Sequence, residues 1–142
     1  MKRILIFLTI FSISAITLAQ NASNCGGNKS TAEKKAMKIG IVLYSNDAET
    51  VWNAFRFANY SILEGDSVSV FLFGKGVEAQ KISSKDFDVT GQMNDFAASG
   101  GKIFACGTCL RLRNQEGTKL CPVSSLSDLY AIIKTSEKIL TF

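Results

Sequence analysis

From Lys38 to Tyr44 the chain reads Lys-Ile-Gly-Ile-Val-Leu-Tyr, apolar at nearly every position. A strand with one wet face alternates apolar and polar residues, whereas one covered on both sides does not. This run therefore predicts a strand buried on both faces of a sheet. Ser45-Asn46-Asp47 supplies side-chain oxygens for unpaired N–H groups, and Glu49 stands three residues after Asn46, so a helix is expected to start there. Val51, Trp52, Phe55, Ala58, Ile62 and Leu63 recur mostly at spacings of three and four, giving that helix one buried face, and Gly65 ends it. Ser67 to Phe73 reads as a second strand. Gly74-Lys75-Gly76 turns the chain into a short helical piece from Val77 to Ile82. A weaker helix is expected from Val89 to Ser99, stopped by Gly100-Gly101, and a third strand from Lys102 to Ala105. Cys109 to Asn114 suggests a helical segment and Lys119 to Val123 a short strand. Ser125-Leu126-Ser127-Asp128 resembles a capping box opening a helix through Lys134, and Lys138 to Phe142 reads as a last strand.

Strands alternating with helices imply right-handed crossovers. The expected fold is one compact α/β domain, a mostly parallel sheet of about five strands with helices on both faces. The chain has 142 residues, room for one such core.

The first nineteen residues have a different pattern. Lys2-Arg3 precedes an apolar run from Ile4 to Leu18, and Thr17-Leu18-Ala19 places small residues where a signal peptidase reads, so cleavage is expected before Gln20. The run falls short of the roughly 20 residues that a spanning helix needs, which argues against a stable membrane span. Residues 20–36 are polar and rich in Asn, Gly, Ser and Lys, the composition of a flexible tether. Asn24 stands directly before Cys25, where a lipidation motif needs a small residue, so a lipid anchor is not expected. The domain is then 37–142, and export would place it in a periplasmic or extracellular, oxidising compartment.

Charge removes one class of partner. The net charge is +4, but five of the basic residues lie before residue 37. From Met37 onward eleven basic residues face eleven acidic ones. A neutral domain lacks the basic stripe of a nucleic-acid surface.

The chain contains no histidine, which removes the commonest general base, the commonest metal ligand and every Ser–His or Cys–His mechanism. Sulfur is left as the leading carrier of chemistry. Cys106-Gly107-Thr108-Cys109 follows the third strand directly, and Cys121 comes in Leu120-Cys121-Pro122. A cysteine between a strand end and a helix start lies among unpaired N–H groups, which favour its thiolate. The functional reading makes Cys106 an activated thiol, Cys109 a second thiol near enough to resolve what it carries, and Cys121 a neighbour. Arg111 and Arg113 would add positive field. Gly107 lets backbone approach a ligand closely, and with Thr108 it is a candidate for the binding surface. Tyr44, Ser45 and Asn46, at the end of the first strand, would border the same pocket if the first and third strands are neighbours.

Competing readings exist for each feature. The cysteines could be buried hydrophobes, form a disulfide, or bind a metal with Cys25 as a fourth ligand, although zinc ribbons have two cysteine pairs and this chain has one. Gly74-Lys75-Gly76-Val77-Glu78-Ala79 formally matches a dinucleotide fingerprint. It follows the second strand and leads into no strongly amphipathic helix, so a turn requiring glycine explains it better. No cofactor and no resident metal are expected.

The order of these motifs resembles the DsrE/DsrF-like sulfur-relay family. The resemblance rests on the strand Lys38 to Tyr44, the helix with Phe57-Ala58-Asn59-Tyr60 and Glu64-Gly65, and then Val68-Ser69-Val70-Phe71 and Gly76-Val77. It continues in Ala105-Cys106-Gly107-Thr108-Cys109-Leu110 and Cys121-Pro122-Val123-Ser124. It covers nearly all of 38–142. It implies a compact α/β fold, assembly into homotrimers or hexamers, and a cysteine after the third main strand, here Cys106, that accepts sulfur as a persulfide and passes it on. Donor and acceptor would be proteins or small polysulfides. The best-described relays of the family work inside the cell and some feed tRNA thiolation, an acceptor that export would exclude. The expectation is an exported sulfur carrier of sulfurtransferase type. The alternative is a non-catalytic oligomeric binding domain whose cysteines are structural or bind metal.

Overall fold

The structure, a computed structural model, describes residues 35–142. The expected signal peptide, most of the tether and Cys25 lie outside the described residues.

Five parallel strands form one sheet in the order β4-β3-β2-β1-β5. β1 (Lys38–Leu43) lies in the interior between β2 (Ser67–Leu72) and β5 (Lys138–Thr141), as its unbroken apolar run predicts. β3 (Lys102–Cys106) pairs with β2 on one side and with the two-residue β4 (Val123–Ser124) on the other. Between β1 and β2 runs α1 (Ala48–Leu63). A 3-10 helix (Gly74–Lys81) and α2 (Val89–Ala98) connect β2 to β3, α3 (Gly107–Arg111) follows β3, and α4 (Leu126–Thr135) joins β4 to β5. Among the described residues no helix is long and apolar enough to cross a membrane.

α1 and α2 pack together, and Phe55 and Phe96 meet edge to face at 5.7 Å between them. Their buried faces join Ile39, Ile41 and Leu43, which alternate on one side of β1. Gly40 points to the opposite side. A Cβ there would stand 2.9 Å from Ile132 of α4 and 2.8 Å from Ser136, so the missing side chain lets α4 sit close to the sheet. The sheet is thus covered on both faces. Right-handedness requires this, because β1, β2, β3 and β4 step one way across the sheet and the β4-to-β5 connection returns the other way.

Several element boundaries differ from the pattern reading; the 3-10 helix, for one, opens at Gly74 and not at Val77. Asp47, not Asn46, caps α1, accepting the Thr50 N–H at 2.8 Å. α3 begins at Gly107, two residues earlier than expected, because the Cys106 sulfur caps it, and Asn114 at φ 51 ends the segment. Lys119 to Cys121 is not strand. Thr118 donates its N–H to the Cys121 carbonyl and accepts the Cys121 N–H on its hydroxyl, which closes a turn and leaves only Val123–Ser124 to pair.

Candidate functional site

α3 touches the 3-10 helix, which itself touches α1 and α2, whereas α4 packs against β1 on the other face. β3 and β4 therefore send the chain to opposite faces, and that divergence is where open α/β sheets leave a crevice at their carboxyl ends. Cys106 and Ser124 are paired across this point. The C-x-x-C segment is thus placed by topology where a ligand site is expected.

Cys106, Cys109 and Cys121 are all free thiols. The Cys109 N–H points at the Cys106 sulfur from 3.4 Å, so a backbone donor stands ready for negative charge developing there. The Cys109 sulfur in turn accepts the Gly74 N–H at 3.2 Å. Burial, and after it a hydrogen bond with the Cys106 side chain, pushes the Cys109 thiol above its ordinary value. The Gly74 N–H and the Arg113 charge oppose that rise. Cys106 is 4% exposed and Cys109 9%, so both are buried with a small part of their surface left to solvent. Beside them, Gly107, Leu110, Arg111, Gly117 and Val123 line a cleft of about 420 Å³. A larger groove of about 480 Å³ on α1, among Arg56, Phe57, Asn59 and Tyr60, contains none of the cysteines.

Cys121 has different surroundings. It is fully buried beneath the Thr118 turn, and burial, slightly offset by Thr118, pushes its thiol up to about 12. No hydrogen bond joins its sulfur to the other two cysteines among the described residues. Two results are expected. Alkylating reagents should modify Cys106 and Cys109 in the native protein and Cys121 only on unfolding, read by peptide mapping. The second concerns alkaline stability. Between pH 9.0 and about 12 the unfolded chain loses the Cys121 proton while the folded chain keeps it. The contribution is complete below the unfolded value and is lost as pH rises through the folded one. In that window wild type should lose stability faster than Cys121→Ala, by up to about 1.4 kcal/mol per pH unit. Parallel pH curves would refute this.

The first-strand candidates reach the site indirectly. β2 lies between β1 and β3, because the α1 crossover lays β2 directly beside β1, so those two strands are not neighbours. Tyr44 is exposed, and its Cβ lies 3.8 Å from where a Gly74 Cβ would stand. Ser45 accepts the Asp47 N–H and serves the start of α1. Asn46 donates to Glu78 at 2.6 Å, Glu78 binds Arg113 at 3.1 Å, and Arg113 donates to the Cys109 carbonyl at 3.2 Å. Thr108 is exposed and accepts from Arg111. The space left by Gly107 is taken by Val123, whose Cγ1 lies 2.8 Å from where a Cβ would be.

Gly74 and Glu78 also contact the candidate site, although the sequence reading took their stretch only as a turn. Their signal was the Gly-Lys-Gly turn, which does need its glycines: Gly74 has φ +57, and a Cβ on Gly76 would stand 2.0 Å from the Leu43 carbonyl oxygen. Among the described residues no three His, Cys, Asp or Glu side chains are grouped to hold a metal ion.

The DsrE/DsrF-like family profile matches residues 37–142. An uncharacterized protein of Methanocaldococcus jannaschii is 30% identical over 103 residues, covering 66% of this chain and 88% of the relative. An uncharacterized protein of Methanopyrus kandleri is 27% identical over 103 residues, covering 66% and 83%. The crystal structure of the ychN protein from E. coli superimposes with a TM-score of 0.67 at 20% identity, covering 75% of this chain and 99% of that one, a likeness of fold. With the profile spanning the whole described sheet and the cysteine site at its carboxyl edge, the chain belongs to the DsrE/DsrF-like family.

Proposed function

We propose that this protein is an exported sulfur carrier that holds a persulfide on Cys106 and releases it through Cys109. Family membership supports a sulfur-relay role in general terms. The observation that carries the finer reading is the backbone N–H of Cys109 aimed at the Cys106 sulfur, which sets both cysteines of the C-x-x-C at the same helix start.

The chemistry balances without an added oxidant. The Cys106 thiolate attacks a terminal sulfur of a polysulfide, forming Cys106–S–S⁻ and leaving the polysulfide dianion one sulfur shorter. The Cys109 thiol then attacks the Cys106 sulfur. A Cys106–Cys109 disulfide forms, the S–S bond of the persulfide breaks, and hydrosulfide leaves, with the Cys109 proton passing to the sulfide or to water. The outer sulfur is reduced and the two cysteines are oxidised. A thiol reductant of the exported compartment, or a dithiol partner, returns the pair to its reduced state. A protein acceptor would instead take the outer sulfur directly.

The pattern of residues 1–19 supports the export part of this reading. Assembly into a homotrimer or hexamer belongs to the same reading. It is supported by the apolar strip of Leu126, Tyr130, Ile133 and Ile139, all exposed in one protomer.

The test is mass spectrometry after incubation with polysulfide. Wild type gains sulfur on the peptide holding Cys106, and Cys106→Ser does not. A wild type that never gains sulfur there, indistinguishable from Cys106→Ser, overturns the reading.

A further inference from the structure

The hydrogen bonds around Cys109 form a bracket with a role in the chemistry. Arg113 is half-buried, and its two ends do different things: Nε binds Glu78 at 3.1 Å, and Nη1 donates to the Cys109 carbonyl at 3.2 Å. The other Glu78 oxygen accepts from Asn46 at 2.6 Å. Glu78 lies on the 3-10 helix, four residues after Gly74, whose N–H is bonded to the Cys109 sulfur. The bracket thus ties three separate chain segments together: the segment after β1 through Asn46, the 3-10 helix through Glu78, and the turn after α3 through Arg113.

We propose that Arg113, anchored by Glu78, is the positioning residue that holds the Cys109 thiol against Cys106 for attack on the sulfur it carries. This rests on the carrier reading for its chemical purpose, though the placement of the thiol can be measured without it. The step served is the balanced one above: Cys109–SH and Cys106–S–S⁻ give Cys106–S–S–Cys109 and hydrosulfide.

Two physical arguments favour a role beyond packing. Cys109 belongs to a five-residue helix that has almost no stability of its own, so its orientation must be imposed from outside. A planar guanidinium bonded on two edges does this with little freedom left. Arg113 also brings positive charge near Cys109, which acts to lower the pKa of its thiol. The groups facing the Cys109 sulfur are the Cys106 thiol from β3 and the Gly74 N–H from the 3-10 helix, with Glu78 as the counter-ion of Arg113. Burial holds Cys109 in its neutral form, and the Arg113 charge partly offsets that effect when the thiol must lose its proton.

The experiment uses the full chain in a Cys106→Ser background, with alkylation read on the Cys109 peptide across pH. Arg113→Ala should move the alkylation midpoint to higher pH. Arg113→Lys, which keeps the charge, should recover part of that shift, and Glu78→Gln should move the midpoint less than Arg113→Ala. In chains that retain Cys106 and have been loaded with polysulfide, Arg113→Ala should release sulfide about tenfold more slowly than wild type, since fewer thiols are placed and ionised for attack. An unmoved midpoint in all three variants overturns the proposal, and Arg113→Lys and Glu78→Gln keep it open to refutation if Arg113→Ala fails to fold. A midpoint that moves while wild type never loads sulfur upholds the placement of Cys109 and overturns the carrier reading instead.

Discussion

Cys109→Ser should trap sulfur on Cys106. Wild type exposed to polysulfide is expected to release hydrosulfide and finish with a Cys106–Cys109 disulfide, whereas Cys109→Ser is expected to keep the persulfide and slow the release at least about tenfold, because a hydroxyl cannot replace a thiolate in attack on sulfur. The structure supports this order of events. The Cys109 thiol is pushed up by burial and by its contact with Cys106, so near neutral pH it is a proton-bearing neighbour rather than the first nucleophile. Cys106 instead meets the Cys109 backbone N–H. Sulfide release should therefore rise with pH as Cys109 ionises, and the rise should be absent in Cys109→Ser. Release that is equally fast in both proteins would show that Cys109 does not resolve the persulfide.

Gly76→Ala is expected to have the largest effect on folding. A Cβ there would lie 2.0 Å from the Leu43 oxygen and 2.8 Å from its carbonyl carbon, both backbone atoms of β1. β1 is paired on both sides, to β2 and to β5, so it cannot move aside. The same Leu43 oxygen accepts the Phe73 N–H at 2.8 Å, and that bond sets the start of the 3-10 helix. Either the turn or the strand end must be displaced, at a cost of about 3 kcal/mol or more. Thermal unfolding should show a midpoint lowered by more than about 10 °C. The Gly74 N–H should also leave the Cys109 sulfur, so what remains folded should lose the normal reactivity of Cys109. A midpoint within 2 °C or so of wild type, less than the shift that about 1 kcal/mol causes in a domain of this size, would refute the argument.

These two substitutions mark where sequence reasoning succeeded and where it stopped. The interior strand was legible because Lys38 to Leu43 has no alternation, and the helices because their apolar residues recur at three and four. The fold class followed from strand and helix alternation alone. Cys106 was legible too, since it directly follows an apolar run and lies three residues before Cys109, and local geometry is enough to bring Cys106 and the Cys109 N–H together. Short-range chemistry of this kind is encoded in neighbouring residues.

The strand order was not legible. Nothing in the residues of β1 says that β2 separates it from β3, so whether Tyr44, Ser45 and Asn46 border Cys106 stayed conditional on those strands being neighbours; in the structure Asn46 reaches the site through Glu78 and Arg113. Cys121 was joined to the other cysteines only by proximity, since the three fall within sixteen residues. The fold buries it beneath the Thr118 turn, where its thiol remains protonated to about 12.

By itself, then, the sequence determined the fold class, the position of the C-x-x-C at a strand end and the absence of histidine chemistry. All of these depend on residues close together along the chain. Only the tertiary structure decided that Cys109 is held by Gly74 and Arg113 and that Cys121 stands apart. Contacts across 35 residues, and the burial that shifts a thiol, arise from packing between segments whose proximity no local pattern records.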